Sequence, residues 1–295
     1  MSSSLHPPTH CDLERKILWE GQPHAMAFRL IPPGRFRMGS RGEYSDEEPR
    51  HWVEIKRAFW MAETPVTQAQ YRFMAGQCLG ELKSIEGNKG AEPSDFNGDD
   101  LRPVESVNWH EARVTAAWLQ RCGALPTGQA AFLPTEAQWE YACRAGTTTE
   151  YHSGDGVAAL EIGGWYSGNS GRKTHPVRQK AMNAFGLYDL HGNVWEWCAD
   201  RWDPFAYVNR FKPTGKPDVK SDAHSHPVVR GGSWEDSFRY CRSAFRHMFH
   251  PTTYYWDPVG GRLGSRGFRL CLSAGPAEVG ARGAPSTFPA KGGVR

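Results

Sequence analysis

Apolar and polar positions in this chain keep a regular rhythm only in short bursts. In SVNWHEARVTAAWLQRCG, Trp109, Ala112, Ala116 and Leu119 fall on one face of a helix. Asn108 precedes that run and Glu111 follows three residues later, a capping box in which each side chain accepts a backbone N–H that the first helical turn leaves open. LPTEAQWEYACRAG repeats the pattern: Thr135 caps, Gln138 answers, Trp139 and Ala142 face inward, and Gly146 ends the helix. In TQAQYRFMAGQ, Ala69, Phe73 and Met74 stand at helical spacing behind a capping Thr67. MAFRLIPPGRFRMGS predicts two short strands around a Pro-Pro-Gly turn, and HWVEIKRAFWMAETPVT predicts one strand leading into a helix. Beyond about residue 150, turns and short strands dominate. The pattern predicts one α+β domain over residues 25–274 with few helices and long loops. A loose arm, 1–24, with an apolar patch at Ile17–Trp19, precedes it, and a Gly/Ala/Pro-rich, disordered tail, 275–295, follows it.

Composition narrows the class. The chain has 295 residues, a formal net charge of +3 and 39% hydrophobic residues, which suits a soluble folded protein. Twelve tryptophans give large buried area to a fold poor in regular structure. No apolar run reaches membrane-spanning length, and MSSSLHPPTHCDLERK lacks the charged-then-apolar pattern of a signal peptide. The charge is too small and too mixed to point to nucleic acid. The seven cysteines are scattered without a CxxC, which predicts reduced thiols and a cytoplasmic protein.

One stretch breaks both rhythms. RGGSWEDSFRYCRSAFRHMFHPTTYYWDPVGG, residues 230–261, opens on a tight glycine turn. It then crowds Trp234, Phe238, Tyr240, Phe245, Met248, Phe249, Tyr254, Tyr255 and Trp256 among His, Asp, Ser and Arg. No periodicity buries these side chains together, so an exposed aromatic surface is expected there.

Seven motifs carry a family resemblance. GRFRMGS, AETPVTQAQYRFM, RPVESVNWHEA, FLPTEAQWEYACRAG, NAFGLYDLHGNVWEWCADRW, VVRGGSW and RGFRL occur in this order. Together, over residues 28–273, they resemble the formylglycine-generating-enzyme, or sulfatase-modifying-factor, domain. The resemblance implies a C-type-lectin-like fold of that type: small twisted antiparallel sheets, two main helices and much irregular loop.

Fold does not settle function, and the resemblance leaves three readings. The first is the oxidase that makes formylglycine. It uses a copper-binding cysteine pair, which counted from Ser233 falls on Asp236 and Cys241; one carboxylate and one thiol make a poor Cu(I) site, so no copper and no such activity are expected. The second is a metal-dependent enzyme of a related kind. His224 with His226 and His247 with His250 are the close histidine pairs, too few for a defined site and expected as surface loop histidines.

The third is a non-enzymatic ligand-binding protein. The segment 230–270 resembles the variable proteins of diversity-generating retroelements, in which a fixed framework holds diversified positions. The framework residues are Arg230, Gly231, Gly232, Ser233, Trp234, Cys241, Arg242, Ser243, Ala244, Arg246, Gly267, Phe268, Arg269 and Leu270. The interposed residues are then the binding face for a protein or other macromolecular ligand: Glu235, Asp236, Ser237, Phe238, Tyr240, Phe245, His247, Met248, Phe249, His250, Thr253, Tyr254, Tyr255 and Trp256. Aromatic and His side chains give contact area for few lost rotamers, as in antibody loops. Trp234 and Phe268 are expected in the core; Phe238, Tyr240, Phe249, Tyr254, Tyr255 and Trp256 are expected exposed. The third reading is preferred; an oxidoreductase or uncharacterised enzyme of the family is its alternative.

The resemblance also implies a structural calcium ion at YDLHGNVWEW, with carboxylates from Asp189 and Glu196 and carbonyls from Gly192 and Val194. A buried hydrogen-bonded turn with Glu196 paired to an arginine is the competing reading.

Overall fold

The computed structural model describes residues 14–17, 25–209, 226–251 and 263–275. In chain order, β1 (Glu14–Ile17), β2 (Met26–Ile31), β3 (Gly34–Met38), β4 (His51–Ile55) and β5 (Phe59–Ala62) lead to α1 (Gln68–Gln77), α2 (Leu79–Leu82) and α3 (Trp109–Arg121). Then come β6 (Ala131–Phe132), α4 (Glu136–Arg144), α5 (Gly156–Gly163), β7 (Gly164–Trp165) and β8 (His191–Gly192). The last elements are β9 (Trp195–Arg201), α6 (Ala206–Asn209), β10 (Pro227–Arg230), β11 (Arg246–Met248), β12 (Arg266–Gly267) and β13 (Cys271–Ser273). None of the described helices is long and apolar enough to cross a membrane.

A five-stranded antiparallel sheet, ordered β1-β2-β5-β13-β6, organises two cores. Successive strand residues point to opposite faces. On β5, Trp60 and Ala62 therefore enter a core shared with α1 and α3, while Phe59 and Met61 enter a second core shared with α4 and the antiparallel β3–β4 ribbon. That explains why FWMA is apolar throughout: both of its faces are covered. A four-stranded sheet, β11-β10-β9-β12, carries the segment 227–248.

The two capping boxes form as the sequence predicts, at Asn108 with Glu111 and Thr135 with Gln138; Thr67 caps α1 as expected, and Gln70 answers it to make a third box that the sequence reading did not name. Trp109, Ala112, Ala116 and Leu119 are buried along α3, and Trp139 and Ala142 along α4. α4 leaves the helical region one residue earlier than expected, at left-handed Ala145 (φ 44°), with Gly146 following at φ 95°.

Several expectations need correction. The arm before residue 25 supplies β1, an edge strand tied to β2 by its backbone pairing and by a Glu14–Arg29 ion pair (3.3 Å). The two short strands around Pro32-Pro33 form as predicted, β2 and β3, and they join different sheets, since neither proline has an N–H to continue a ladder. HWVEIKRAFWMAETPVT forms two strands, β4 and β5, not one. α5 went unread because a glycine stands at each of its ends. The tail beyond residue 275 lies outside the described residues.

Candidate binding face

The chain enters the face through a turn that only glycine fits. Gly231 and Gly232 have φ of 97° and 72°, and a Cβ on Gly232 would stand 2.7 Å from Cys241 Sγ. Behind the turn, each framework arginine meets an acid from a distant element. Arg230 pairs with Glu140 of α4, which also accepts from Arg144 Nε at 2.8 Å. Arg230 further donates to the carbonyls of Ala244 (2.8 Å) and Ser243 (3.0 Å). Arg242 grips Glu47 with two bonds, at 2.7 and 3.0 Å. Arg246 does the same to Glu136, at 2.7 and 2.8 Å, and Arg269 to Glu196, both at 2.7 Å. All these groups are buried. Two-pronged geometry gives such pairs direction as well as strength, so they fix the register of the segment.

Trp234 and Phe268 are buried, as the sequence predicts. Trp234 donates from Nε1 to the carbonyl of Gly264 at 2.7 Å and meets Phe96 edge-on at 5.1 Å. Phe268 packs against Tyr71, centroid to centroid 6.2 Å.

Between these anchors the interposed residues divide. Glu235, Asp236, Ser237, Phe238, Tyr240, His247 and His250 are partly exposed, and Met248 is 36% exposed. Phe249 corrects the expectation. It is only 7% exposed, edge-on to Trp195 (5.9 Å) and Trp197 (6.2 Å), with the Arg266 guanidinium 3.8 Å from its ring centre. Phe245, at 8%, is also core rather than face, wedged between Tyr44 (5.1 Å) and Tyr240 (4.8 Å). Thr253, Tyr254, Tyr255 and Trp256 lie outside the described residues. Partly exposed Tyr44 belongs to the rim of the face. Sequence reasoning missed it because it arrives from a loop nearly the whole domain away, with no local signal.

The oxidase positions carry no thiolate pair. Burial pushes the Asp236 carboxyl up to about 6, against the Ser233 hydroxyl that donates to it. Cys241 is fully buried, and burial, with the Asp236 charge, raises its thiol well above the usual range.

The expected calcium donors do not fit the ion. Both Glu196 oxygens accept from Arg269, and Oε2 also accepts from Trp139 Nε1 at 2.7 Å, so the charge a cation would need is already neutralised. The Gly192 carbonyl accepts the Val194 amide at 2.9 Å, inside its own turn. Asp189 is buried; it accepts the Arg178 amide at 2.8 Å, and burial pushes its carboxyl up to about 6. The geometry is that of a hydrogen-bonded turn with Glu196 paired to an arginine. The histidines separate too: His226 meets His250 at 5.3 Å, while His247 sits beside Phe249 at 5.0 Å. His224 is outside the described residues. Among the described residues, no three His, Cys, Asp or Glu side chains are grouped to hold a metal ion.

Two cores around one small sheet, short helices, and a C-terminal segment pinned by arginines define a formylglycine-generating-enzyme-like domain of the C-type-lectin-like class. The model of the sulfatase-modifying factor enzyme 1-like domain matches residues 19–270, and the chain belongs to that family. It is 34% identical to the formylglycine-generating enzyme of Streptomyces coelicolor, over 80% of this chain and 87% of that protein. It is 29% identical to the serine/threonine-protein kinase pkn1 of Chlamydia caviae, over 81% of this chain but spanning only 38% of the kinase. Among solved structures, Treponema denticola variable protein 1 superposes with a TM-score of 0.68 at 27% identity, over 89% of this chain and 99% of that one. Enzymes and a variable protein thus stand at comparable distance, and the residues of the site must separate them.

Proposed function

We propose that the chain is a non-enzymatic ligand-binding protein that presents a diversified face, residues 235–250 and onward to 253–256, on this scaffold. The observation that carries the reading is the division within the segment. Its arginines and Trp234 are locked by buried pairs, while most side chains between them reach solvent. Aromatic residues on a rigid support bind at low entropic cost. The likeness to a variable protein supports the same reading. Asp236, standing where the family's oxidases have a thiol, argues against copper. The six described cysteines are free, which suits a reducing, cytoplasmic compartment and a macromolecular partner there.

The likeness to the Streptomyces coelicolor enzyme favours the alternative, an oxidoreductase. The two separate in one assay. Purified full chain, given copper and a cysteine peptide of the sulfatase type, is expected to form no aldehyde above the protein-free rate. Turnover that Cys241→Ser abolishes would overturn the non-enzymatic reading. In the encoding DNA, a near-copy of the segment for residues 230–270 is expected beside a reverse transcriptase gene.

A further inference from the structure

The β3–β4 ribbon has an inner and an outer side. Phe36, Met38, Val53 and Ile55 are buried on the inner side, in the core shared with α4. Strand alternation then turns Arg35, Arg37, Trp52 and Glu54 to the outer side. In the register Arg37 stands directly opposite Trp52, and Arg35 opposite Glu54. Trp52 is 56% exposed, the one exposed tryptophan among the described residues. Two guanidiniums lie over its ring, Arg35 at 5.2 Å and Arg37 at 5.0 Å from the centre.

The positive charge continues past the strand ends. Arg50, two residues before Trp52, has a buried Nε with no hydrogen-bond partner among the described residues. Burial, then Arg144, Arg37 and Arg41, pulls its guanidinium below the usual value. Glu140 offsets this only in part, being held by Arg144 and Arg230. Among the described residues, Arg35, Arg37, Arg41 and Arg50 are within ion-pair distance of no carboxylate, and neither is exposed Glu54. The framework arginines behind the glycine turn are each answered by an acid; these four are not.

We propose that the outer side of the β3–β4 ribbon docks an extended, acidic segment of a partner protein, with carboxylates on Arg35 and Arg37 and the chain lying along Trp52. Alternate residues of a strand are about 7 Å apart, so an extended segment with an acid at every second position offers one carboxylate to each of the two arginines. A guanidinium stacked on an indole keeps its N–H edge free for a carboxylate, and the stacking limits the rotamer freedom lost on binding. Trp and Arg are also the side chains that most often anchor protein interfaces. The small, mixed net charge of +3 favours a short acidic segment over a nucleic-acid strand, which needs a long basic track. The surface shares no residue with the 235–250 face, and the proposal stands whether or not that face is diversified.

Calorimetric titration of the purified full chain tests it with a peptide of about ten residues, long enough to span the ribbon, in which Glu alternates with Thr. The same peptide with Gln for every Glu, and a single-stranded oligothymidylate of equal length, are the comparisons. The Glu peptide is expected to bind, more weakly as salt rises, and the Gln peptide not to bind. Arg37→Gln and Arg35→Gln are each expected to weaken the Glu peptide about tenfold, the loss of one charge-assisted contact. Trp52→Ala is expected to weaken it as well. Arg121→Gln, which removes the same charge from α3, is expected to leave affinity unchanged. Thermal melting checks that each variant stays folded, and exposed Arg35 and Trp52 are changes a surface tolerates. No binding of the Glu peptide, or folded Arg35→Gln and Trp52→Ala proteins with unchanged affinity, overturns the proposal. Tighter binding of the oligothymidylate than of the Glu peptide overturns the choice of a protein partner.

Discussion

Glu140→Leu is expected to lower stability by about 3–5 kcal/mol, because removing one partner of a buried ion pair leaves its charge uncompensated. Glu140 serves two cations, Arg144 and Arg230, and all three are buried. It also accepts the Gly39 amide at 2.9 Å, so the loop behind β3 loses its anchor as well. Urea denaturation with an unchanged slope gives the loss directly. Adding Arg230→Met should restore part of it, since an apolar pair of similar volume is often tolerated where a lone charge is not. A single-variant loss below about 1 kcal/mol would mean that the pairs are not what fixes the segment.

Phe268→Ala is expected to cost a further large amount, about 3–5 kcal/mol, from lost burial and the cavity left behind. The ring sits between the two sheets, against Tyr71 on α1, in the core that also holds Trp195 and Trp197. Trp234→Ala should cost as much, and it also leaves the Gly264 carbonyl without its indole donor. Against a total stability of about 5–15 kcal/mol, either change brings the domain near its limit. Melting temperature and the denaturant midpoint report both.

What the sequence made legible was local or strongly patterned. The capping boxes at Asn108 and Thr135 need partners only three residues away, and each forms, as does the cap at Thr67. The framework arginines stood out as residue types, but their partners did not. Arg242 finds Glu47 across 195 residues and Arg246 finds Glu136 across 110, separations that no periodicity encodes. The same distance effect misplaced Phe249, buried by Trp195, Trp197 and Arg266 from other strands. It also decided the calcium turn. The residues of YDLHGNVWEW suit an ion when read alone, yet Arg269, 73 residues on, takes the Glu196 carboxylate.

The central claim is that framework and face are energetically separate, and one variant tests it most directly. The combination Phe238→Ser, Tyr240→Ser, His247→Ser and Met248→Ser alters four partly exposed or exposed positions. Equilibrium denaturation of this protein is expected to show one cooperative transition with a total loss of no more than about 2 kcal/mol, since surface changes are small and roughly additive. A fourfold variant that fails to fold, or that loses as much as Phe268→Ala, would show that these side chains belong to the core and would contradict the account.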